Sequence, residues 1–416
     1  MTAVADTPST TETVRPADQA ALAAVVAEAH ASGTAIYPIG GGASQNYGRP
    51  AERPGVGLSL AALNRVIDYP ARDMTITVEA GITMDQLAAT LATERQWLPI
   101  DAPQSATATL GGVMATNWSG ARRYGYGTMR DYVIGTSAVD GRGDAFKAGG
   151  RVVKNVAGYD FCKLLTGSLG TLGVITQITL KIKPQPERSA FLVCDVHDLR
   201  MADRLAAAIV NSGTTPSSVE VLTGPAWRDG TPLGLLTAGA IGRLAVGLNG
   251  TATEVDWMLA QLAAEWEALG VTSARSIDGQ HATELWETIC EFPAEGESPL
   301  VVKASMVPSR AMQFAELVLS IDPQASIQIH AGNGIVLARF AKFDTGEVSR
   351  ALIGKLQPLA QQSGGSCVVL SSSLSGLTRQ AIWGGTSAAS AWMAQVKRQF
   401  DPKNILNPGR FVYDNL

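Results

Sequence analysis

The chain has 416 residues, enough for two or three domains that each bury a core of their own. Hydrophobic residues make up 46% of it and charged residues 17%, which is typical of a globular enzyme. The net charge of −4 and the lack of a Lys/Arg cluster argue against nucleic acid or an anionic membrane as a direct partner.

The N-terminal residues 1–15 are rich in Thr, Ser and Pro, without the basic start and apolar middle of a signal peptide. We expect a disordered, uncleaved tail there. The most apolar later window, residues 233–248, carries Arg243 and several glycines and is too short to span a membrane. The four cysteines lie far apart and none forms a CxxC pair, which argues against an iron–sulfur or structural zinc site. Together these features predict a cytoplasmic protein.

Strand and helix patterns alternate through the first part of the chain. Apolar spacing predicts a helix over residues 17–31, and "TAIYPI" predicts a strand that leads into three glycines. Thr83 and Gln86 match a capping box for a helix over residues 84–94. Residues 98–173 are glycine-rich and irregular, before the strand "GVITQITLKIKP". Two prolines then indicate a domain boundary near residue 186.

The second part repeats one order of elements twice. A strand, a helix and two further strands precede a helix over residues 255–269, for which Thr251 and Glu254 form a capping box. From residue 300 a strand, a helix, a hairpin, a helix and a strand follow again. This order predicts two ferredoxin-like units with helices on one side of an antiparallel sheet, and therefore an α+β chain.

Three glycine-rich stretches follow strands or precede them: "GGG" at residues 40–42, "TLGG" at 109–112 and "GSLGTLG" at 167–173. Backbone N–H groups left free by glycine can form a concavity that binds phosphate. No GxxxxGK[ST] motif occurs, and the third stretch precedes a strand instead of opening a helix, which argues against P-loop and Rossmann domains. Three such stretches suit a long ligand, such as a dinucleotide, between two subdomains.

The combined pattern resembles the FAD-binding domain of the vanillyl-alcohol-oxidase (PCMH-type) flavoprotein superfamily. The matching segments are "IGGGAS" at residues 39–44, "TLGG" at 109–112, "ATNWSG" at 115–120, "GSLGTLGVIT" at 167–176 and "FDPKNILNPGRF" at 400–411. Within that superfamily, "RVVKNVAGYDFCKLLTGSLGTLG" and the overall length are most similar to the FAD-binding E subunits of bacterial glycolate oxidases (glycolate dehydrogenases).

The resemblance implies a PCMH-type FAD-binding domain of two α/β subdomains at residues 16–186. A ferredoxin-like substrate or cap domain would follow at 187–395, and a C-terminal segment at 396–416 would return to the FAD site. Ala43 stands where covalently flavinylated members carry histidine, so we expect non-covalent FAD. The residues implied to bind FAD are Ile39, Gly40, Gly41, Gly42, Ala43, Ser44, Pro103, Thr109, Leu110, Gly111, Gly112, Thr116, Asn117, Gly120, Tyr159, Gly173, Val174, Ile175 and Asn407.

Glycolate- and lactate-oxidising relatives carry an "HxGDGNxH" hairpin that binds a divalent metal, where this sequence has "HAGNGIVL" at residues 330–337. We therefore expect no metal. If residues 333–334 form a two-residue turn, His330 lies opposite Leu337 and shares its face with Arg339. His330 then serves either as a structural hydrogen-bonded residue or as the base for a 2-hydroxy acid whose carboxylate pairs with Arg339. Arg122 and Arg123 are rival anion binders.

The resemblance implies a subunit of a glycolate-oxidising complex, in which a 2-hydroxy acid becomes a 2-oxo acid and hydride passes to the flavin. The electrons would leave through partners, namely an iron–sulfur subunit and a second FAD-linked subunit, which could also bring the chain to the inner face of the membrane. The altered hairpin leaves open a second interpretation, an FAD-binding electron relay or assembly subunit with a vestigial substrate site. A third is a self-sufficient oxidase of another alcohol or lactone.

Overall fold

The computed structural model describes residues 10–48, 51, 53–150, 159–228, 232–294, 296–385 and 389–410, which form two compact units. The first unit contains the described residues up to Ser119, those of Thr128–Gln185 and those from Gly385 onward. The second contains Gly120–Gly127 and Pro186–Gly384. The chain returns to the first unit at Gly385, earlier than the start of the predicted C-terminal segment 396–416. Gly120–Gly127, which were predicted to be part of the FAD-binding domain, belong to the second unit.

The strands in chain order are β1 (Thr10–Val14), β2 (Ala35–Ile39), β3 (Gly55–Ser59), β4 (Val66–Asp68), β5 (Thr75–Glu79), β6 (Gln96–Trp97), β7 (Val133–Val139), β8 (Ala145–Gly149), β9 (Val174–Lys181), β10 (Lys183–Pro184), β11 (Arg188–Val196), β12 (Ser218–Thr223), β13 (Gly242–Gly250), β14 (Arg275–Ile277), β15 (Leu300–Ser305), β16 (Ser326–His330), β17 (Ile335–Phe340) and β18 (Ser366–Ser372).

The α-helices are α1 (Gln19–Ser32), α2 (Met84–Ala92), α3 (Leu110–Thr116), α4 (Arg123–Tyr126), α5 (Met129–Tyr132), α6 (Phe161–Leu165), α7 (Leu199–Ile209), α8 (Ala252–Ala268), α9 (Gly279–Glu291), α10 (Ala311–Ile321), α11 (Thr345–Glu347), α12 (Gln357–Gln362), α13 (Arg379–Trp383) and α14 (Ser390–Phe400). A π-helical segment, Val348–Leu356, joins α11 to α12. Among the described residues, no helix is long and apolar enough to cross a membrane.

Both predicted capping boxes are confirmed. The Thr83 hydroxyl accepts from the N–H of Gln86 at 3.2 Å, and the Gln86 side chain accepts from the N–H of Thr83 at 3.1 Å, which starts α2. The same reciprocal pair forms between Thr251 and Glu254 at the start of α8. Each box satisfies two N–H groups that a helix terminus would otherwise leave without a partner.

The first unit is built on a parallel sheet of order β1-β3-β2 and a five-stranded antiparallel sheet of order β4-β5-β9-β7-β8. The chain returns to the edge of the parallel sheet near its C-terminus. There the N–H of Ile36 donates to the Ile405 carbonyl at 2.7 Å, and the N–H of Asn407 donates to the Ile36 carbonyl at 2.9 Å. This contact places the segment around Asn407 beside β2, the strand that leads into the three glycines.

The structure differs from the sequence-based expectation in two parts of the first unit. Thr10–Val14, expected in a disordered tail, form β1 against β3, because β-branched Thr and Val favour an extended chain beside a strand with free hydrogen-bonding groups. Residues 133–149, expected to be irregular, form the β7–β8 hairpin. Six of the seven residues of β7 are buried, so the strand lacks the alternation that identifies strands in a sequence.

The second unit contains an eight-stranded antiparallel sheet of order β14-β11-β13-β12-β16-β17-β15-β18. The first four strands and α7 and α8 form one ferredoxin-like repeat, and the last four form another around α10 and α12. The repeats join edge to edge through β12 and β16, so the predicted α+β, ferredoxin-like fold is confirmed. One face packs on α7, α8, α10 and α12 in an apolar core. The opposite face bears Glu220, Gln328 and His330 and contacts α4 through β12.

Candidate functional site

A cleft that is partly open to solvent lies in the first unit, and the space within it that protein atoms do not fill is about 1010 Å³, open solvent included. The residues predicted to bind FAD that line it are Ile39, Gly40, Gly41, Gly42, Ala43, Ser44, Thr109, Gly111, Gly112, Thr116, Gly173, Val174, Ile175 and Asn407.

Two of the three consecutive glycines are required by close contacts with a neighbouring stretch of chain. A Cβ atom on Gly41 would lie 1.5 Å from the Thr107 carbonyl oxygen, and one on Gly40 would lie 2.2 Å from the Thr109 hydroxyl oxygen. Within the described part of the chain, no protein acceptor takes a hydrogen bond from the N–H groups of residues 40–44. Side chains are thus excluded on one side, while consecutive N–H donors remain available to an anion on the other.

The second wall of the cleft is the start of α3. The Thr109 hydroxyl caps this helix by accepting from the N–H of Gly112 at 3.3 Å. A Cβ on Gly111 would lie 2.8 Å from the Ala80 carbonyl oxygen, so glycine lets α3 approach β5 closely. Leu110 points the other way: its side chain is fully buried in the core, and its N–H donates to the Ile82 carbonyl at 2.9 Å.

Four further residues that were predicted to bind FAD do not line the cleft. Asn117 ends α3 in the left-handed conformation, with φ of 49°. Pro103 is half-buried elsewhere in the first unit, and Gly120 belongs to the second unit. Tyr159 is 88% exposed, and its ring lies 6.4 Å from the ring of Phe161.

Asn407 contributes to the cleft by holding a neighbouring loop. Its side-chain N–H donates to the Leu169 carbonyl at 2.7 Å, and its backbone adopts φ of 46°. A Cβ on Gly170, which itself has φ of 67°, would approach the Asn407 amide to 3.2 Å. Leu169, Gly170 and Asn407 all line the cleft, so this contact fixes one of its edges.

Sequence reasoning missed Arg410, which also lines the cleft together with Gln45 and Tyr47. Arg410 is 6% exposed, and its Nη1 donates to the Gln45 carbonyl and, at 3.3 Å, to the Tyr47 carbonyl. Burial raises the pKa of Tyr47 to about 12. The only signal in the sequence was its position three residues after the predicted site residue Asn407, which does not by itself identify a role.

The hairpin that carries His330 has a different register from the expected one. His330 lies opposite Ile335, not Leu337, because the loop contains four residues: a short 3₁₀ turn over Ala331–Asn333 and then Gly334 at φ of 66°. A Cβ on Gly334 would lie 2.0 Å from the Met306 carbonyl oxygen. The Asn-Gly pair therefore ends a longer turn in which only its glycine takes the left-handed conformation.

His330 is buried in a polar network on the sheet. Its Nδ1 lies 2.9 and 2.8 Å from the two carboxylate oxygens of Glu220, its neighbour across β12 and β16. Gln328 donates to the same carboxylate at 3.0 Å. His330 is 3% exposed and Glu220 0%.

Arg339 is not brought together with His330. It pairs with Ser326, four residues before His330 along β16, a distance of about 13 Å along a strand. Its guanidinium donates to the Phe292 carbonyl at 3.2 Å and lies 5.5 Å from the Phe292 ring centroid. The longer turn shifted the register by two residues, which kept Arg339 on the same face but moved it away from His330.

Other cations lie on the polar side of the second unit. Arg122 stacks on Trp286, with its guanidinium carbon 3.7 Å from the ring centroid. Burial and the nearby charge of Arg123 lower the pKa of Lys303 to about 8. The Tyr124 ring covers Gly332 in the hairpin loop, since a Cβ there would lie 2.2 Å from a ring carbon. Across the described residues, no group of three or more His, Cys, Asp or Glu side chains could hold a metal ion.

Comparisons with known proteins give the same cofactor. A family described as FAD binding domain matches residues 11–149, and one described as FAD linked oxidases, C-terminal domain, matches residues 384–411. Alkyldihydroxyacetonephosphate synthase has a similar fold, with a TM-score of 0.67 over 95% of this chain and 75% of that chain at 18% identity.

Among curated proteins, mitochondrial D-lactate dehydrogenase (cytochrome) of Arabidopsis thaliana is 38% identical over 45% of this chain and 33% of its own length. Glycolate oxidase subunit GlcD of Bacillus subtilis is 27% identical over 90% of this chain and 83% of its own. Glycolate oxidase subunit GlcE of Escherichia coli is 35% identical over 41% of this chain and 49% of its own. The matches thus span a third to a half of the plant enzyme and of GlcE.

The fold, the cleft and the matching domains define a flavoprotein with a PCMH-type FAD-binding domain. The similarity to FAD-linked oxidases covers residues 11–149 and 384–411, and these matching domains give FAD as the cofactor. The relatives of the chain include glycolate oxidase subunits.

Proposed function

We propose that the chain is the FAD-binding subunit of a complex that oxidises glycolate, or a closely related 2-hydroxy acid, to the 2-oxo acid. The observation that carries this proposal is the cleft, whose glycine-rich wall offers N–H groups that bond to no acceptor in the described part of the chain. The relatives of the chain are named for glycolate and D-lactate.

The N–H groups of Gly40–Ser44 would hold the diphosphate of FAD, and the start of α3 would line the other side of the cofactor. The contacts that exclude side chains at Gly40 and Gly41 leave room on the opposite side for a ligand that approaches the backbone. Ala43 has no nucleophilic side chain, so the cofactor would be held without a covalent bond at this position.

FAD, when bound, supplies an acceptor for the hydride that leaves the α-carbon of the substrate. In the second unit, His330 would take the proton of the substrate hydroxyl at Nε2, while Glu220 fixes the ring through Nδ1. Arg123 and Lys303 replace Arg339 as the proposed partners of the substrate carboxylate, because both are cations on the polar side of this unit.

The electrons would leave through partner subunits, an iron–sulfur protein and a second FAD-linked subunit. The names of the GlcD and GlcE relatives, which denote subunits, support an assembly. None of the four cysteines forms a disulfide, and three of them are buried. We also propose a cytoplasmic location, with any contact to the membrane made through partners.

Anaerobic mixing of the FAD-loaded chain with glycolate, D-lactate or D-2-hydroxyglutarate tests the proposal. We expect the absorbance of the bound flavin at about 450 nm to bleach with at least one of these acids. Loss of bleaching in His330→Asn, with FAD still bound, would support the assigned base. A yellow protein that none of the acids bleaches would refute substrate oxidation on this chain.

That negative outcome would favour the second candidate, a relay or assembly subunit that binds FAD without oxidising a substrate. Two observations favour this candidate. His330 is buried against Glu220. Ile335, which pairs with His330 across the hairpin, and Leu337, two residues further along β17, are both apolar. The same holoprotein would then accept electrons from a reduced partner while remaining inert to the acids.

A further inference from the structure

The loop that follows β2, residues 40–48 and here called the glycine loop, is held from outside by Arg410. Within the loop, the N–H of Gln45 donates to the Gly42 carbonyl at 3.2 Å and the N–H of Tyr47 to the Ser44 carbonyl at 3.1 Å. These bonds form two successive turns. Arg410 joins the second half of the loop to the C-terminal segment by donating from Nη1 to the Gln45 and Tyr47 carbonyls.

The two halves of the glycine loop thereby differ in polarity. Its second half presents carbonyl oxygens to a buried guanidinium, which compensates their partial negative charge. Its first half, residues 40–44, keeps N–H groups that bind no protein acceptor among the described residues. A cation beside such donors makes this end of the cleft favourable for an anion, because both act in a partly desolvated cavity.

The C-terminal segment gives Arg410 a rigid base. Lys397 of α14 is buried and donates to the Thr171 carbonyl at 2.7 Å, to Asp401 at 2.6 Å and to the Leu406 carbonyl at 3.0 Å. Asn407 is bonded to Ile36. Arg410 therefore projects from a segment that is fixed against β2.

We propose that Arg410 is a positioning residue for the cofactor: it holds the glycine loop in the conformation that receives the diphosphate of FAD, and it makes the cleft select FAD over uncharged flavins. This inference rests on the proposed placement of the diphosphate at residues 40–44. It is independent of which substrate the complex oxidises.

The test is the affinity of the FAD-free full chain for FAD and for riboflavin, which lacks the diphosphate, measured by flavin fluorescence in Arg410→Gln and Arg410→Lys. Loss of a charged hydrogen-bond donor should weaken FAD binding roughly tenfold or more. The affinity for riboflavin should change by less than about twofold, which is within the measurement error. Arg410→Lys should recover part of the lost FAD affinity, because lysine keeps a cation and a hydrogen-bond donor. The melting temperature of the FAD-free chain should fall in Arg410→Gln, because two carbonyls lose their charged donor, but this loss of stability alone would weaken the binding of FAD and riboflavin equally.

Lys403→Gln is the matched control. Lys403 is also a C-terminal cation that donates to two backbone carbonyls, those of His30 at 2.7 Å and Ala31 at 3.4 Å, but it does not line the cleft. An unchanged FAD affinity in Arg410→Gln, an equal loss in Lys403→Gln, or an equal loss of FAD and riboflavin affinity would overturn the proposal. If Arg410→Gln fails to fold, wild-type FAD affinity together with wild-type selectivity in a FAD-binding Arg410→Ala would overturn it.

Ala43→Asp separates this inference from the placement on which it rests, because it adds a negative charge to the first half of the glycine loop. Loss of FAD binding in Ala43→Asp but not in Arg410→Gln would refute the role of Arg410 alone. Wild-type FAD binding in both variants would refute the placement of the diphosphate as well.

Discussion

At the scale of single residues, the buried pair of His330 and Glu220 is expected to contribute strongly to stability. Glu220→Ala would leave the buried side chains of His330 and Gln328 without their shared acceptor. Removing one partner of a buried pair typically costs about 3–5 kcal/mol of unfolding free energy. Urea unfolding followed by circular dichroism would measure this loss.

An exposed pair of the same chemistry provides the control. His281 Nδ1 lies 3.2 Å from Glu284, and the two side chains are 75% and 42% exposed. Glu284→Ala should change the unfolding free energy by less than about 0.5 kcal/mol. Equal losses of unfolding free energy in Glu220→Ala and Glu284→Ala would contradict the proposed contribution of Glu220 to stability.

Lys303 gives a prediction for pH. Its pKa is lowered from 10.5 to about 8 in the folded chain, chiefly by burial and further by Arg123. Between these two values the unfolded chain binds more protons than the folded one, so stability rises with pH across this window. Compared with Lys303→Met, the wild type should gain up to about 3 kcal/mol between pH 8 and pH 10.5.

Paired urea titrations of the wild type and Lys303→Met at several pH values would measure this gain. A constant difference between the two proteins from pH 7.5 to pH 10 would show that Lys303 titrates normally. The substitution should also stabilise the chain at pH 7, because it removes a desolvated cation.

At the scale of elements, local signals determined what could be predicted from the sequence. The capping boxes at Thr83 and Thr251 act within four residues, so their side chains alone define where α2 and α8 start. The register of the hairpin after His330 was harder to predict from the sequence. Its register depends on whether Gly334 is part of a two-residue or a four-residue loop, and the Met306 carbonyl that packs there comes from a distant part of the sequence.

The contact between α14 and the C-terminal segment gives a prediction at the same scale. Lys397→Ala would remove a donor shared by Thr171, Asp401 and Leu406, all of them buried. We expect a loss of about 3–5 kcal/mol, and weaker FAD binding because the Asn407 segment loses its support.

The matched substitution is Lys163→Ala. Lys163 pairs with Asp160 at 3.0 Å, and both side chains are about half exposed, so the loss should stay below about 0.5 kcal/mol. Thermal melts of Lys397→Ala and Lys163→Ala, each with and without FAD, would measure the loss of stability and the weakening of FAD binding. A similar melting temperature for the two variants would contradict the proposed support by Lys397.

At the scale of the whole molecule, order along the chain predicted the fold class, because two repeats of strand, helix and paired strands have few alternatives in an antiparallel sheet. Long-range pairings were not predictable. β1 pairs with β3 across more than 40 residues, and the repeats of the second unit join through β12 and β16, which are buried on both faces. The pattern of such strands contains no information about their neighbours.

The candidate site divides in the same way. The glycine-rich residues of the cleft were predictable because glycine marks a close approach of the backbone, as at Gly41. Arg410 was not, since a single arginine near a chain end has many possible roles until its acceptors are known. The polar network of His330 likewise depends on Glu220, which is 110 residues away in the sequence.

A crystal structure of the chain with FAD bound would test the central claim most directly. We predict that the cofactor lies in the cleft of the first unit, with its diphosphate oxygens about 3 Å from the N–H groups of residues 40–44. FAD bound elsewhere, or bound in the cleft with its diphosphate away from the glycine loop, would contradict the account.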